Sequence, residues 1–375
     1  MSKRTTTTDT STNKGSKKPR TLPPSPHGPF WNGTTADPEI IAVLVNNRDE
    51  AFHYDVETSR LDLVQEVWEF KIVPFFNVKE LAMLRPTSRW CNEQWQEFLK
   101  RNIFRVPEQV PTIDEAMTVG FNLAKQKEYS KEYLKEKPLV VVLSEGVHVV
   151  NGSWTDSYST VRENTLGITC SNITFIGQGK DKTTVHGGIG VSNKKNILLK
   201  SLTLTNLNGF GLLVSGEEAS VEMMDVSAKE CGRTGLVVSS GASVKATQCE
   251  VSENGDIGVV VNRGSKGIFT DSTFHHNAQG GVWAAMEAAR EGTLVELRGE
   301  QTEIHHNNQS GLFANSNAII NIYIPSQPIT ALVHDNEERD LFTYSSGKIQ
   351  SQLSSSSLEL TVIHQGGHPV AHKRL

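Results

Sequence analysis

The sequence predicts a mainly β protein built as a parallel β-helix, and three observations lead to this fold class. Short β-branched runs alternate with Gly, Asn and Ser turns from about Ile168 onward. A motif of Asn or Cys, three further residues, Gly or Asp and then a hydrophobic run recurs at nearly constant spacing. A helix-start signal and a valine-rich run precede the first copy. A fixed period in a strand-rich chain indicates a solenoid, whose units stack on one another.

The motif occurs six times, at 207–212, 231–236, 254–259, 277–282, 307–312 and 336–341. Successive copies begin 24, 23, 23, 30 and 29 residues apart, and an insertion at Ala284–Gly292 explains the longer fourth interval. A coil of this length accommodates three short strands and three turns, and each strand pairs with its copy about 4.8 Å away. Leucine-rich repeats have a similar period but need a leucine ladder that is absent here, and a propeller blade is about twice as long.

Two positions of the motif are interpreted as a structural ladder at the turns. Its members are Asn254, Asn277, Asn307 and Asn336, with Gly235, Gly258, Gly281 and Gly311. Asparagine tolerates the left-handed region and can stack amide on amide along the axis, which satisfies its polar groups inside the fold. We expect each glycine to adopt a positive φ before its hydrophobic run.

The segment before the repeat predicts a cap for the open end of the solenoid. Thr112-Ile113-Asp114-Glu115 forms a capping box, which starts a helix that reaches Leu123 or Ala124. Leu139–Leu143 then predicts a strand. Because a β-helix exposes its core at each end, this helix is expected to cover the N-terminal end.

The pattern from Thr112 to Ala116 and on through Val140 to His148, together with the repeat, resembles the pectin-lyase-like superfamily of right-handed β-helices. This resemblance covers residues 112 to about 345. It implies a right-handed parallel β-helix (solenoid) over residues 107–345 with an N-terminal cap helix. Many pectin-lyase-like proteins cleave or epimerise acidic polysaccharides, so the resemblance also implies an enzymatic alternative.

Residues 37–106 predict a small helical module, because apolar residues recur there at helical spacing. The run Phe75–Asn92 is similar to the latter half of an F-box, although Leu63–Trp68 stands where that family has its opening Leu-Pro pair. The resemblance implies binding to a ubiquitin-ligase adaptor. The residues it assigns to the partner-binding module are Leu63, Val67, Phe76, Leu81, Leu84 and Trp90.

The two ends of the chain are richer in serine and other polar residues than its middle. Residues 1–36 form a basic Ser/Thr/Pro-rich tail that cannot build a core, so disorder is expected. Residues 346–375 form a Ser-rich C-terminal segment whose apolar run at 358–363 is expected to cap the other end of the helix.

Composition narrows the function classes. The formal net charge of −5 gives no general attraction to nucleic acid or to an acidic membrane. The sequence shows neither a membrane-length apolar stretch nor a signal-peptide segment, so an intracellular location, cytoplasmic or nuclear, is expected. The four cysteines lack CxxC spacing, which argues against a zinc site built on them. No cofactor is predicted.

One polar constellation stands out from the ladder. His275, His305 and His334 each precede a motif Asn by two residues, and His276, His306 and Asp335 follow them directly. Stacked coils would bring these imidazoles together as a metal-binding or ligand-binding stripe. The alternative interpretation is a set of exposed turn residues, because neighbouring side chains in a strand point to opposite faces. The acids Asp225, Glu250, Asp271 and Glu303 do not share one offset from the motif, as a polysaccharide-cleaving site would require.

The sequence therefore predicts a non-catalytic recognition protein. Its β-helix is expected to present a side face to a protein or glycan partner behind an F-box-type module. The competing function is a polysaccharide-active enzyme of the pectate lyase or polygalacturonase kind.

Overall fold

A computed structural model of the chain describes residues 102–126, 132–285, 292–323 and 329–351. The predicted tail, the F-box-like residues from Leu63 to Trp90 and the last predicted strand at 358–363 lie outside these residues. Within them, parallel strands from Ile103 to Ser351 wind into a β-helix with three walls. Strands are numbered here in chain order.

Wall 1 contains β1 Ile103–Val106, β2 Leu139–Leu143, β7 Ile173–Ile176, β10 Ile197–Thr205, β12 Ser220–Lys229, β14 Ser243–Thr247, β17 Lys266–Thr270, β20 Leu294–Arg298, β23 Ile319–Tyr323 and β26 Lys348–Ser351. Wall 2 contains β3 Gly146–Val149, β8 Thr183–His186, the second halves of β10 and β12, β15 Glu250–Ser252, β18 Thr273–His275, β21 Glu303–His305 and β24 Val333–His334. A short helix, α2 Ile329–Leu332, precedes β24.

Wall 3 contains β6 Thr165–Ile168, β9 Gly188–Ser192, β11 Leu212–Ser215, β13 Leu236–Ser239, β16 Val259–Asn262, β19 Val282–Ala285, β22 Ser310–Asn315 and β25 Arg339–Tyr344. A small antiparallel hairpin of β4 Ser153–Thr155 and β5 Val161–Glu163 branches off before β6.

The register places equivalent residues of successive coils directly on one another. In wall 3, Leu212, Leu236, Val259, Val282 and Leu312 form one continuous column. All five are fully buried, because alternate residues of each strand point into the core. Burial of such aliphatic side chains contributes roughly 1.5–3 kcal/mol each relative to exposure. The core is therefore a set of apolar columns parallel to the helix axis.

Each coil has three turns, and the two that flank wall 2 are bends at single residues with positive φ, most of which are not glycine. Between walls 1 and 2, Ser201, Asp225, Gln248 and Asp271 have φ values of 53°, 53°, 54° and 49°. After wall 2, the bend residues are Glu230, Glu253, His276, His306 and Asp335, with φ from 53° to 56°. A single left-handed residue turns the strand direction sharply, and its cost of about 1–2 kcal/mol is offset by pairing on both sides.

The asparagine ladder follows the second bend. The side-chain Nδ2 of Asn254 donates to Oδ1 of Asn277 at 2.9 Å, and the same contact joins Asn277 to Asn307 and Asn307 to Asn336. Each Oδ1 also accepts a backbone N–H from the previous coil, and each Nδ2 donates to a backbone carbonyl. Asn277 and Asn307 are fully buried, so these contacts satisfy groups that water cannot reach.

The sixth copy of the motif has Asp340 where the others have glycine, and the ladder explains this change. Asp340 Oδ1 accepts hydrogen bonds from the backbone N–H of Asn336 at 3.3 Å and from its Nδ2 at 3.0 Å. The carboxylate thus takes the place that the next asparagine amide would occupy. Asp340 therefore terminates the ladder.

The motif glycines do not have positive φ, so that expectation is wrong. Gly235, Gly258, Gly281 and Gly311 are instead required by the ladder itself. A Cβ on Gly258 would lie 2.7 Å from Asn277 Nδ2 and 2.7 Å from the carbonyl oxygen of Gly281. The same clash recurs at the other three, with Asn254, Asn307 and Asn336. The positive φ belongs to the residue just before each asparagine.

The N-terminal cap is helix α1, Ile113–Gln126. Thr112 Oγ1 accepts the backbone N–H of Glu115 at 3.1 Å, which is the predicted N-cap contact. Ile113, Ala116 and Met117 are buried in the same core as the first coils. No helix among the described residues combines the length and apolar character needed to cross a membrane.

Three boundaries differ from the sequence-based expectations. Ile103–Val106, assigned to the helical module, is a strand that pairs in parallel with Leu139–Leu143, so the β-helix begins earlier. At the other end, Lys348–Ser351 pairs with β23, so the β-helix extends beyond residue 345. Ala284 pairs with Ala314, so the insertion after β19 does not begin at Ala284. Each of these strand segments is too short for the alternation of its apolar residues to predict a strand boundary.

Replacing Asn307 with alanine should destabilise the protein by about 2–4 kcal/mol, because it leaves buried backbone and amide groups on two coils without partners. Urea unfolding at neutral pH measures this change. The matched control is Asn308→Ala, which truncates the exposed neighbouring asparagine and should change stability by less than about 0.5 kcal/mol. Equal effects of the two substitutions would contradict the ladder's stabilising role.

Candidate functional site

Six polar side chains meet at the second bend of three successive coils: His275, His276, His305, His306, His334 and Asp335. We call this set the histidine corner. The rings of His275 and His305 stack with centroids 5.0 Å apart, and those of His305 and His334 with centroids 5.4 Å apart. A second column stacks His276 on His306 at 5.2 Å. The structure thus brings all of the predicted histidines together.

Consecutive histidines of one coil lie on the same side of the chain. Nδ1 of His275 is 2.8 Å from Nδ1 of His276, and the corresponding atoms of His305 and His306 are 2.7 Å apart. The sequence-based argument that neighbouring side chains point to opposite faces is therefore wrong here. The positive φ of His276 and His306 interrupts the strand alternation at this residue.

The third coil replaces the second histidine with an acid. His334 Nδ1 lies 2.9 Å from Asp335 Oδ2, so the imidazole N–H donates to the carboxylate. Further up the same bend, Glu253 and Glu230 hold the position of His276. The bend column therefore reads Glu, Glu, His, His, Asp along the axis.

The described residues contain no group of three or more His, Cys, Asp or Glu side chains arranged to hold a metal ion. The Nδ1 atoms of each histidine pair face each other at hydrogen-bond distance, so they are engaged with one another. This arrangement fits a hydrogen-bonded polar corner better than a coordination site.

Two acidic side chains, Glu250 and Glu303, flank the corner on wall 2. His275 Nε2 lies 3.4 Å from Glu250 Oε1, and Lys180 Nζ lies 3.8 Å from the other oxygen of Glu250. The hydrogen bond from His275 and the positive charge of Lys180 lower the pKa of Glu250 to about 2 although burial raises it. Burial and the surrounding imidazoles lower the pKa of His305 to about 4.

The acids named from the sequence fall into two columns, each interrupted by an uncharged residue. Asp225 and Asp271 occupy the first bend on alternate coils, with Gln248 between them. Glu250 and Glu303 share a column of wall 2, with Thr273 between them. The four carboxylates therefore do not share one column, but each pair does, with its members separated by two coil steps of about 4.8 Å.

The outer face of wall 3 carries an aromatic column that the sequence analysis missed. Trp283, Phe313 and Phe342 lie in register on successive coils, with ring centroids 4.9 Å and 5.2 Å apart. All three are half-buried, so each ring keeps contact with solvent. The available signal was the second residue of each hydrophobic run, which is leucine or valine in the first three copies and aromatic in the last three.

Uncharged polar side chains border the aromatic column. Asn262 and Asn315 each lie two residues after the position of the aromatic column in their strands, so their side chains are on the same face. Tyr344 pairs with Asn315 on the next coil and is exposed. Asn262 Oδ1 and Trp283 Nε1 are buried and have no hydrogen-bond partner among the described residues. The Arg339 guanidinium lies 4.5 Å from the centre of the Phe342 ring.

The β4–β5 hairpin covers the same face over the earlier coils. Trp154 packs so closely on Gly167 and Gly190 that an added Cβ would lie 2.4 Å and 2.3 Å from its ring. The Tyr158 hydroxyl reaches the Ser240 hydroxyl at 2.5 Å, and Arg263 lies 4.8 Å from the Tyr158 ring centre. The chain therefore covers the start of this face itself and leaves the aromatic column further along uncovered by the hairpin.

A family model described as a right-handed β-helix region matches residues 145–323. Together with the parallel walls, this match supports a right-handed parallel β-helix. No curated protein matches the chain significantly.

Among solved structures, the chain is similar to ORF18 of Geobacillus virus E2, with 12% identity and a TM-score of 0.41 over 71% of this chain and 65% of that one. The matched part is thus less than two-thirds of the viral protein. It is also similar to two mannuronan C-5 epimerase A-modules of Azotobacter vinelandii. AlgE4 shares 14% identity at a TM-score of 0.29, over 63% of this chain and 83% of that chain. AlgE6 shares 13% identity at a TM-score of 0.28, over 67% and 79% respectively.

Replacing Glu250 with glutamine should remove a pH-dependent contribution to stability. The folded-state pKa of about 2 lies below the ordinary value of 4.5, so the contribution is present above pH 4.5 and is lost as pH falls toward 2. With the Glu250 side chain 27% exposed, the stabilisation above pH 4.5 is on the order of 1–2 kcal/mol. Urea unfolding of both proteins at several pH values measures the difference.

Glu303→Gln is the matched control, because Glu303 lies in the same column but its side chain is 51% exposed. A stability difference between the wild type and Glu250→Gln that stays constant from pH 7 to pH 2 would contradict the assignment.

Proposed function

We propose that this chain is a non-catalytic recognition protein whose β-helix binds its partner on the outer face of wall 3. The observation that carries the proposal is the aromatic column of Trp283, Phe313 and Phe342. A row of large apolar rings on a solvent-facing sheet marks an interaction surface more often than a structural need. The hairpin already covers this face on the preceding coils, which shows that the face accepts a packed layer.

The scaffold suits recognition because it is rigid before the partner arrives. Trp283 and Phe313 stand on strands that are paired on both sides, and Phe342 stands on the edge strand β25, which is paired in register with β22, so little conformational entropy is lost when the rings are covered. Aromatic side chains also combine a large contact area with few rotatable bonds. The site therefore needs no rearrangement of the solenoid to bind.

The border of the column favours a partner with hydrogen-bonding groups around apolar patches. Asn262, Asn315 and Tyr344 offer amide and hydroxyl groups beside the rings, and Asn262 Oδ1 lacks a partner among the described residues. A glycan chain presents apolar ring faces and hydroxyl groups in this way, and so does a polar protein surface with an apolar anchor. Both classes of partner remain part of the proposal.

The competing function is a polysaccharide-active enzyme, and it rests on the two interrupted carboxylate columns. Asp225 with Asp271 and Glu250 with Glu303 supply the acids that polysaccharide hydrolysis needs. Product formation from polygalacturonate, assayed with and without Ca²⁺, distinguishes this function from recognition. Turnover that disappears in Asp225→Asn or Asp271→Asn would favour the enzyme.

The simultaneous change of Trp283, Phe313 and Phe342 to alanine should weaken partner binding by at least about 30-fold, because buried aromatic anchors carry much of an interface's energy. The glycan arm titrates cellohexaose, xylohexaose and polygalacturonate by calorimetry. The protein arm places a photo-crosslinking residue at position 313 and identifies the partner chemically linked to it.

Tyr323→Ala is the matched control for this experiment. Tyr323 is a half-buried aromatic residue in wall 1, and Arg298 lies 5.4 Å from its ring centre. Binding that is lost equally in this control, or a partner that crosslinks only from wall 1, would move recognition away from wall 3.

The adaptor role is a second proposal, and it rests on the F-box-like sequence at Phe75–Asn92. If the module is competent, the full chain should bind the ubiquitin-ligase adaptor at micromolar concentration. Changing Leu63 and Val67 to glutamate should abolish that binding, since charged side chains oppose burial at an apolar interface. Calorimetry with purified adaptor tests this, with Asn308→Ala as the control. Absence of binding by the wild-type chain would remove the ligase role and leave the wall 3 proposal intact.

A further inference from the structure

The histidine corner can hold only a limited number of protons without changing shape. Where two Nδ1 atoms lie 2.8 Å apart, one must carry hydrogen and the other must accept it. His275 Nε2 faces the carboxylate of Glu250, so its Nε2–H donates there and its Nδ1 accepts from His276. One additional proton can enter on the outer nitrogen of His276 and leave this hydrogen bond intact. A second proton must enter between the two rings and separates them.

The pair of the next coil obeys the same rule. Nδ1 of His305 and Nδ1 of His306 lie 2.7 Å apart, and His305 Nε2 faces Glu303 at 3.8 Å. His305 also lies between His275 and His334 in the stack, so a charge on it would contact imidazoles on both sides. The pKa of His305, lowered to about 4, agrees with this position.

The remaining charged groups around the corner do not neutralise the five imidazolium ions that full protonation would create. Glu250, Glu303 and Asp335 face His275, His305 and His334 respectively. Lys180 lies beside Glu250 and offsets part of its charge. Helix α2, which precedes β24, has the sequence Ile-Thr-Ala-Leu and contributes no titratable side chain. Glu253 stands above His276 at the bend. Full protonation therefore leaves like charges stacked about 5 Å apart.

The corner is joined directly to the asparagine ladder. His276 and His306 are the bend residues immediately before Asn277 and Asn307, and the backbone carbonyl of His305 accepts Nδ2–H of Asn307 at 3.2 Å. The carbonyl of His334 accepts Nδ2–H of Asn336 at 3.0 Å. Movement of these rings and their bends would thus displace the carbonyls that the ladder amides use.

We propose that the histidine corner is an acid-sensitive lock on the C-terminal coils, closed while each imidazole pair shares one proton and opened when both rings of a pair are protonated. The device is independent of the recognition proposed for wall 3. Because the folded state resists protonation of His305, the stabilising effect of the lock is present above the ordinary histidine pKa of 6.5 and is lost as pH falls toward 4. The earlier coils have no such pair at their bends, where Glu230 and Glu253 stand instead.

Hydrogen exchange of the full chain, read by mass spectrometry between pH 7.5 and pH 4.5, tests the lock. Protection factors, corrected for the intrinsic pH dependence of exchange, should fall about 10- to 100-fold for peptides covering 266–315. Peptides covering 173–205 should change by less than threefold. Equal loss of protection at both ends, or no loss at either, would overturn the proposal.

A quadruple variant removes both imidazole pairs by combining His275→Gln, His276→Asn, His305→Gln and His306→Asn. Asparagine is used at positions 276 and 306 because it tolerates the positive φ of these bends. This variant should lose the selective fall in protection at acid pH. His186→Gln, at an exposed histidine away from the corner, should retain it. A variant that keeps the fall would contradict the assignment to the corner.

A measurement on the wild type keeps the test decisive if that variant does not fold. The ring carbon–proton signals of all histidines can be followed by NMR during a pH titration. His305 should remain neutral below pH 5.5, and its titration should coincide with the loss of protection. Titration of His305 near pH 6.5 would overturn the proposal.

Discussion

In-register parallel pairing of each strand with its own counterpart one coil later is the interaction on which the rest of this structure depends. It places every residue about 4.8 Å from the equivalent residue above and below. A side chain therefore has to be compatible with a near copy of itself. Aliphatic residues meet this condition by packing, as in the column from Leu212 to Leu312. Buried polar residues meet it only if they can donate and accept at once, which is why asparagine fills the turn.

The same constraint governs the candidate sites, which are columns and not isolated clusters. Histidine, like asparagine, can donate and accept, so His275 and His305 stack where two like charges would repel. Aromatic rings on wall 3 stack in the same way and present a ribbon of apolar surface along the axis. The Glu, Glu, His, His, Asp order at the second bend shows that a column can change chemistry while the backbone stays constant. A solenoid thus gains function by varying side chains on a fixed frame.

Several features could be predicted because they leave a periodic trace in the sequence. The repeat length, the asparagine positions and the start of helix α1 at the Thr112 capping box all follow from local spacing and turn chemistry. Other features depend on which residue lies one coil away. The motif glycines are an example: turn chemistry predicts a positive φ for them, but Gly258 is required because a Cβ there would clash with the side chain of Asn277. The positive φ of His276 places the adjacent side chains of His275 and His276 on the same side of the chain. No glycine at this position indicates such a bend in the sequence. The cover of Trp154 over Gly190 joins segments too distant in sequence for pattern analysis.

The ladder of buried asparagine amides is the claim from which the glycine positions, the Asp340 terminus and the link to the histidine corner all follow. Exchange of the side-chain NH₂ protons of Asn277 and Asn307, measured by NMR at neutral pH, tests it most directly. The account predicts that these protons exchange as slowly as the backbone amides of the core strands, because both are buried and hydrogen-bonded. Exchange as fast as that of the exposed Asn308 amide would contradict it.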